Sequence, residues 1–256
     1  MPENRTLDAY HIKIIALLFM VLDHLHTYLF YAKWPTWITI LPRFVAPVFL
    51  YLMIEGFHYT HNKKNYALRL FIAAMIMGAG NIIINLVFHN VDRLTGKFTI
   101  YSILEGNNIF LTLALLFMCI WAIDNIQNGQ RRLINIFVFF ICGIISLIAE
   151  GGIYLLPLAI MFQLCYHNKK RQCFWTFLFC MLLLAKAIFS WLSGGTGESL
   201  WETLCFDAEW AMVFVIPFIM CYNGKRGKNT KASKYLFYIV YPAHLWILMI
   251  LRFILN

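Results

Sequence analysis

Apolar residues in this chain gather into long unbroken runs separated by short polar connections, with none of the alternation of a half-buried strand. A run of about 20 residues crosses a hydrocarbon core of about 30 Å as a helix, so each long run predicts a membrane span. The runs lie at 11–31, 36–59, 67–89, 107–123, 132–149, 152–167, 173–192, 208–222 and 234–254. The expected fold is all-α, a polytopic transmembrane helix bundle of about nine spans, with a tenth left open. It is expected to form one domain over residues 1–256. The first run ends in Phe30-Tyr31-Ala32-Lys33 without a small-residue cleavage pattern. Helix one is therefore expected to stay in the mature protein.

Composition narrows the class. Of 256 residues, 61% are hydrophobic and 13% charged, with a mean hydropathy of +0.70. Soluble domains run at about 45–50% apolar and about 25% charged, so an ordinary soluble globule is excluded. A net charge of +9 would point a soluble protein toward nucleic acid. Here it is assigned to cytoplasmic loops, and membrane lipids, not nucleic acid, are the expected partners. The seven cysteines include no CxxC pair and give no sign of a disulfide framework or metal site.

The basic residues also orient the chain. Arg5, Lys63, Lys64, Arg131, Arg132, Lys169, Lys170, Arg171, Lys225, Arg226, Lys228, Lys231 and Lys234 fall on one side; Lys33, Arg93, Lys97 and Arg252 fall on the other. The positive-inside rule then makes the N-terminus cytoplasmic. The acidic residues Glu198, Glu202, Asp207 and Glu209 fall outside. So do the longest connections, 90–106 and 193–207, which are expected to cover a site or simply to join helices.

Lys13, Arg43, Arg69 and Lys186 are left within spans or at their margins. Ionisable groups at that depth are costly and usually face a bundle interior or an aqueous cavity. Helix one also carries Asp23 and His24 near mid-membrane, a carboxylate and an imidazole suited to proton abstraction. Adjacent helical residues do not face each other, so Asp23 either orients His24 or pairs with Arg43. The guanidinium of Arg43 suits a carboxylate, phosphate or oxyanion. His26, nearer the outer surface, reads as structural, and an ion pair with Arg69 is the simplest account of Glu55. Asn81, Asn108, Glu150 and His244 are expected to line a polar outer cavity, with Pro242 kinking the last helix beside it. Lys63, Lys64 and Arg69, with Lys231 and Lys234, suggest a phosphate-binding collar at the inner surface, or simply topology and anionic lipid.

Several segments then resemble the TraX family of multi-spanning proteins, relatives of the transmembrane acyltransferases. They are Lys13-Ile-Ile-Ala-Leu-Leu-Phe-Met-Val-Leu-Asp23-His24, Arg43-Phe44-Val-Ala46-Pro47-Val-Phe49 leading to Glu55-Gly56-Phe57, Asn108-Ile-Phe110-Leu-Thr112-Leu-Ala-Leu, and Lys234-Tyr235-Leu-Phe237-Tyr238-Ile-Val-Tyr241-Pro242-Ala-His244-Leu. They occur in order from residue 13 to 245. The family is named for an enzyme that N-acetylates F-type pilin, which implies acetyl-CoA as donor and a bacterial cytoplasmic membrane. The superfamily places a basic residue eleven positions before a histidine in its first helix. Lys13 and His24 have that spacing, although arginine is the commoner residue there.

The expected function is therefore acetyl transfer from cytoplasmic acetyl-CoA to an amine or hydroxyl at the outer side, on a peptide, surface glycan or lipid. His24, Asp23 and Arg43 are the expected catalytic groups, Lys13, Lys63, Lys64, Arg69 and Lys234 the donor-binding ones, and no metal is called for. The rival classes are a transporter or flippase and a non-enzymatic assembly partner. An oligomer is compatible with all three.

Overall fold

The computed structural model of the chain describes residues 6–31, 33–92, 96–194, 199–228 and 230–255, the side chains of 231–234 excepted. Among the described residues the regular structure is all helical, apart from one isolated parallel bridge between Leu7 and Tyr222. In chain order the helices are α1 (Ala9–Leu25), α2 (Val45–Tyr59), α3 (Lys63–Val87), α4 (Ile100–Leu104), α5 (Ile109–Gln127), α6 (Arg132–Ile148), α7 (Gly152–Leu164), α8 (Lys169–Leu192), α9 (Leu200–Phe206), α10 (Val215–Cys221) and α11 (Lys231–Leu255). A π-helical turn, His26–Phe30, continues α1. Tight 3₁₀ turns at Thr36–Thr39, Leu41–Phe44 and Ala208–Phe214 lead into α2 and α10. Pro35 and Pro42 stand at the starts of the first two, where a missing N–H costs nothing.

Each apolar run contains a helix, but length separates them. Among the described residues six helical stretches are long and apolar enough to cross a membrane: Ala9–Phe30, Thr36–Tyr59, Lys63–Val87, Ile109–Gln127, Lys169–Leu192 and Tyr235–Leu255. The pair Leu200–Phe206 and Ala208–Cys221, bent by 69° at its break, makes a seventh if it is counted as one broken span and not as a re-entrant loop. The helices α6 and α7 are shorter, at 17 and 13 residues. At 1.5 Å per residue α7 is about 20 Å long, less than a hydrocarbon core of about 30 Å. Apolar composition alone ran past this limit, because apolar residues continue through turns that end a helix.

The chain divides into two compact units. The first comprises Met1–Ile54 and Pro157–Lys234, the second Glu55–Leu156 and Tyr235–Asn256.

In the first unit α8 packs against Ala208–Phe214, α9 and α10, while α1 packs against the turn Leu41–Phe44. Ile40, Cys205, Ala208 and Ala211 form a buried cluster with Trp210 against it, and the Thr39 hydroxyl donates to Cys205 O at 2.7 Å. Phe44 stacks on Phe218 at 4.7 Å and meets Phe19 edge-on at 5.2 Å. The entry to α1 is pinned along the backbone: Leu7 N–H donates to Cys221 O, Asn223 N–H to Leu7 O, and Ala9 N–H to Lys225 O. Asp8 caps the helix, accepting from His11 N–H at 2.9 Å. Burial works against its carboxylate, but the backbone and ring bonds from His11 outweigh it and hold the carboxyl below its ordinary range. Gly227, at φ +73, lies so close that a Cβ there would run into the Asp8 carboxyl.

In the second unit α5 is the centre, buried on nearly every side, with α6 and α3 against it. Asparagines attach the 90–106 connection to α3. Asn85 Nδ2 donates to Ile103 O and Glu105 O at 3.0 and 2.7 Å, and Asn90 Nδ2 to Ser102 O and Glu105 Oε2 at 3.1 and 2.9 Å. These bonds satisfy free carbonyls at the C-terminal end of α4, while Thr99 caps its start; a helix of a single turn or so could not hold by propensity alone. Trp246 lies directly on Gly80 and donates to Asn81 Oδ1 at 3.1 Å. A Cβ on Gly80 would collide with that indole ring. Gly80→Val is therefore expected to destabilise the protein by about 1–3 kcal/mol, as overpacking of a well-filled interior does. Thermal unfolding in detergent reads the loss.

Candidate active site

Helix α1 carries Lys13, Asp23 and His24, and its π-turn begins at His26. Helical geometry decides which of these can act together. Eleven residues advance a helix by three turns plus about 20°, and by about 16 Å along the axis. Lys13 and His24 therefore share one stripe of α1, well separated in depth. Asp23 lies about 100° round from His24, and His26 about 60° from Asp23 on its other side. Asp23 borders both directions, whereas the two imidazoles point nearly opposite ways.

Arg43 stands on the turn Leu41–Phe44, which packs against α1. Asp23 interacts electrostatically with Arg43 and with His26. Yet among the described residues Asp23 makes no hydrogen bond and no ion pair within 4 Å. The open choice in the sequence thus falls toward Arg43, as a charge interaction without contact, and away from a direct bond to His24. The ring of His24 is buried and meets Tyr28 edge-on at 6.4 Å. His26 is 1% exposed, between Tyr31 at 5.7 Å and Trp34 at 6.2 Å, and neither ring nitrogen has a hydrogen-bond partner. The Nε of Arg43 is likewise buried without one.

Toward the inner end, Lys13 is half-buried within electrostatic reach of Arg226, and Lys228 sits 5.9 Å from the centre of the Tyr10 ring. Lys169 donates to Tyr222 O at 2.7 Å. Basic side chains thus surround the start of α1 in the first unit. Sequence counting assigned most of these lysines and arginines to topology alone.

The other expected site residues belong to the second unit. Asn81 donates to Asn107 O at 3.1 Å and receives Trp246; Asn108 donates to Ala74 O at 3.0 Å and caps α5 by accepting from Leu111 N–H. Glu150 accepts from Asn107 Nδ2 at 2.9 Å and from the Tyr241 hydroxyl at 3.3 Å, and its backbone carbonyl accepts from Thr112 at 2.8 Å. These residues do converge, in a network that joins α3, α5, α11 and the α6–α7 turn. His244 Nδ1 lies 2.7 Å from Val240 O, one turn back along α11. Lys63 donates to Asp124 Oδ2 at 2.7 Å with its ammonium 4.0 Å from the centre of the Phe57 ring. Lys64 is exposed. Arg69 lies over Tyr66 at 5.4 Å with its Nε buried and unpartnered, and among the described residues it makes no ion pair with Glu55; the guanidinium faces its own helical neighbour instead. Lys231 and Lys234 lie outside the described side chains.

Among the described residues no group of three or more His, Cys, Asp or Glu side chains could hold a metal ion.

The sequence matches the family described as "TraX protein" over residues 9–252. The chain belongs to the TraX family. The match takes in α1, Arg43 and the first 22 residues of α11, hence every expected site residue. A protein of Dichelobacter nodosus named "Probable fimbrial assembly protein FimC, serogroup H1" is 25% identical over 257 residues, covering 97% of each chain. No solved structure matches. The chain is thus a TraX-family protein with helices able to span a membrane.

Proposed function

We propose that this TraX-family protein is an integral membrane acyltransferase with a cytoplasmic N-terminus. It moves acetyl from cytoplasmic acetyl-CoA to an amine or hydroxyl at the outer side of a bacterial cytoplasmic membrane. The observation that carries this reading is the shared stripe of Lys13 and His24 on α1. A cation at one end and an imidazole about 16 Å along the same face suit a long donor with phosphates at one end and a reactive group at the other.

Acetyl-CoA supplies the acetyl group already activated as a thioester. Lys13 takes a donor phosphate in the first unit. His24 takes the acceptor's proton as the acceptor nitrogen or oxygen bonds to the acetyl carbonyl carbon. It returns the proton to the sulfur as the carbon–sulfur bond breaks, leaving acetylated acceptor and free CoA thiol. Arg43 stabilises the carbonyl oxygen's developing charge, and Asp23 sets the local field.

Purified protein in lipid nanodiscs with labelled acetyl-CoA tests the reading. Saturable binding with slow hydrolysis is expected. Neither binding nor hydrolysis would overturn it and favour the second reading. That one rests on the FimC relative's name: a non-enzymatic role in assembling a fimbria-like surface structure.

A further inference from the structure

In the first unit the segment 221–228 is laid along the start of α1 as a strap. Leu7 N–H donates to Cys221 O at 3.3 Å, and Asn223 N–H donates to Leu7 O at 2.9 Å. The Asn223 side chain then turns the chain, its Oδ1 accepting from Lys225 N–H at 2.8 Å. Lys225 O accepts from Ala9 N–H at 2.9 Å. Gly224 and Gly227, at φ +77 and +73, supply two left-handed steps along this path. Gly227 lies against the Asp8 carboxyl, and Lys228 Nζ stands 5.9 Å from the centre of the Tyr10 ring. Arg226 is therefore held between two anchored neighbours, Lys225 on Ala9 and Gly227 on Asp8. Lys13 lies one turn beyond Ala9 on the same face of α1, half-buried and within electrostatic reach of Arg226.

These anchoring bonds are made by the backbone and by the Asn223 amide, not by the basic side chains. Asp8 accepts from His11 N–H at 2.9 Å and lies 2.8 Å from the ring Nδ1, so its charge is engaged at the helix cap. Cations gathered at a partly buried place repel one another, and an anion among them relieves the repulsion. A count of basic residues assigns Arg226 and Lys228 to topology. Topology asks only for charge on one side of a membrane, whereas the strap fixes the path that carries it.

We infer that Lys13, Arg226 and Lys228 form a binding site for a phosphate group. The planar guanidinium offers a bidentate contact and the two ammoniums add charge. Two sources carry that chemistry: the phosphates of the acetyl-CoA donor and the headgroup of an anionic lipid. The donor as source rests on the acyltransferase reading and deepens it, adding Arg226 and Lys228 to Lys13 in donor binding. The phosphate site itself stands without that reading.

The test uses the purified full-length protein in nanodiscs of net-neutral phosphatidylcholine, with binding of labelled CoA measured by equilibrium dialysis. Arg226→Gln and Lys228→Gln remove charge at exposed positions and leave the anchoring backbone intact. Each is expected to weaken CoA at least about fivefold, and the double variant about 25-fold. Arg132→Gln removes an equal charge from an exposed position in the second unit and is expected to stay within about twofold. The lipid arm compares thermal unfolding in phosphatidylcholine alone with that in equal parts of phosphatidylcholine and phosphatidylglycerol. If a headgroup is the ligand, phosphatidylglycerol raises wild-type Tm by more than about 3 °C and the double variant loses that rise. Loss in either arm supports the phosphate site and names its source. A double variant unchanged in both CoA affinity and lipid-induced shift would overturn the inference. So would an equal loss in Arg132→Gln, or a double variant that unfolds more than about 2 °C below wild type in neutral lipid, which would make these side chains structural. A wild-type protein that binds no CoA sinks the acyltransferase reading instead, and the lipid arm then decides the phosphate site.

Discussion

His24→Ala is expected to lower acetyl transfer at least about a hundredfold while the protein is still produced and folded. General-base assistance contributes about 10²–10⁴ in rate, or about 3–5 kcal/mol of barrier. The side chain is buried and packed edge-on to Tyr28, so truncation also leaves a small cavity. That cost shows in Tm, and it predicts no change in rate per folded molecule. The two effects separate when transfer of labelled acetyl is normalised to folded protein. If normalised turnover in His24→Ala stays within a few-fold of wild type, His24 is not the base.

Lys13→Gln is expected to raise KM for acetyl-CoA about 10- to 100-fold with kcat within about twofold. A hydrogen bond to a charged group is worth about 1.5–3 kcal/mol, and a phosphate contact far from the thioester acts equally on ground and transition states. Lys13→Arg keeps the charge at the same place on α1 and should retain most of the affinity. A fall in kcat with KM unchanged would instead tie Lys13 to chemistry, which a separation of about 16 Å along the helix forbids. Loss of affinity in Lys13→Gln without rescue in Lys13→Arg would assign Lys13 to local packing beside Arg226.

Much of the architecture was legible because it depends on composition. A run of 20 apolar residues has few fates, and each of the nine runs contains a helix. What composition could not supply was length. The Ala149–Gly151 turn and the turn at 165–167 confine α7, and the Leu200–Cys221 segment bends at Asp207, so fewer helices reach spanning length than apolar runs suggested. Site residues were legible one at a time and not in their groupings. Asp23, His24 and Arg43 stand out because charge is rare in such segments. Which of them share a field depends on rotation about α1 and on the Leu41–Phe44 turn, which a linear reading treats as part of a plain helix. Asn81, Asn108 and Glu150 stand out for the same reason, and the structure gives each of them bonds that fasten loops and helix ends. A polar residue in an apolar run signals that something pairs with it. It does not say whether that partner is a ligand or the protein's own backbone.

The most direct measurement is an experimental map of the protein with a non-hydrolysable acetyl-CoA analogue bound. The account predicts density along the Lys13–His24 face of α1, with a phosphate at Lys13 and the thioester mimic beside the His24 ring. An analogue bound at saturating concentration anywhere else, or not at all, would contradict it.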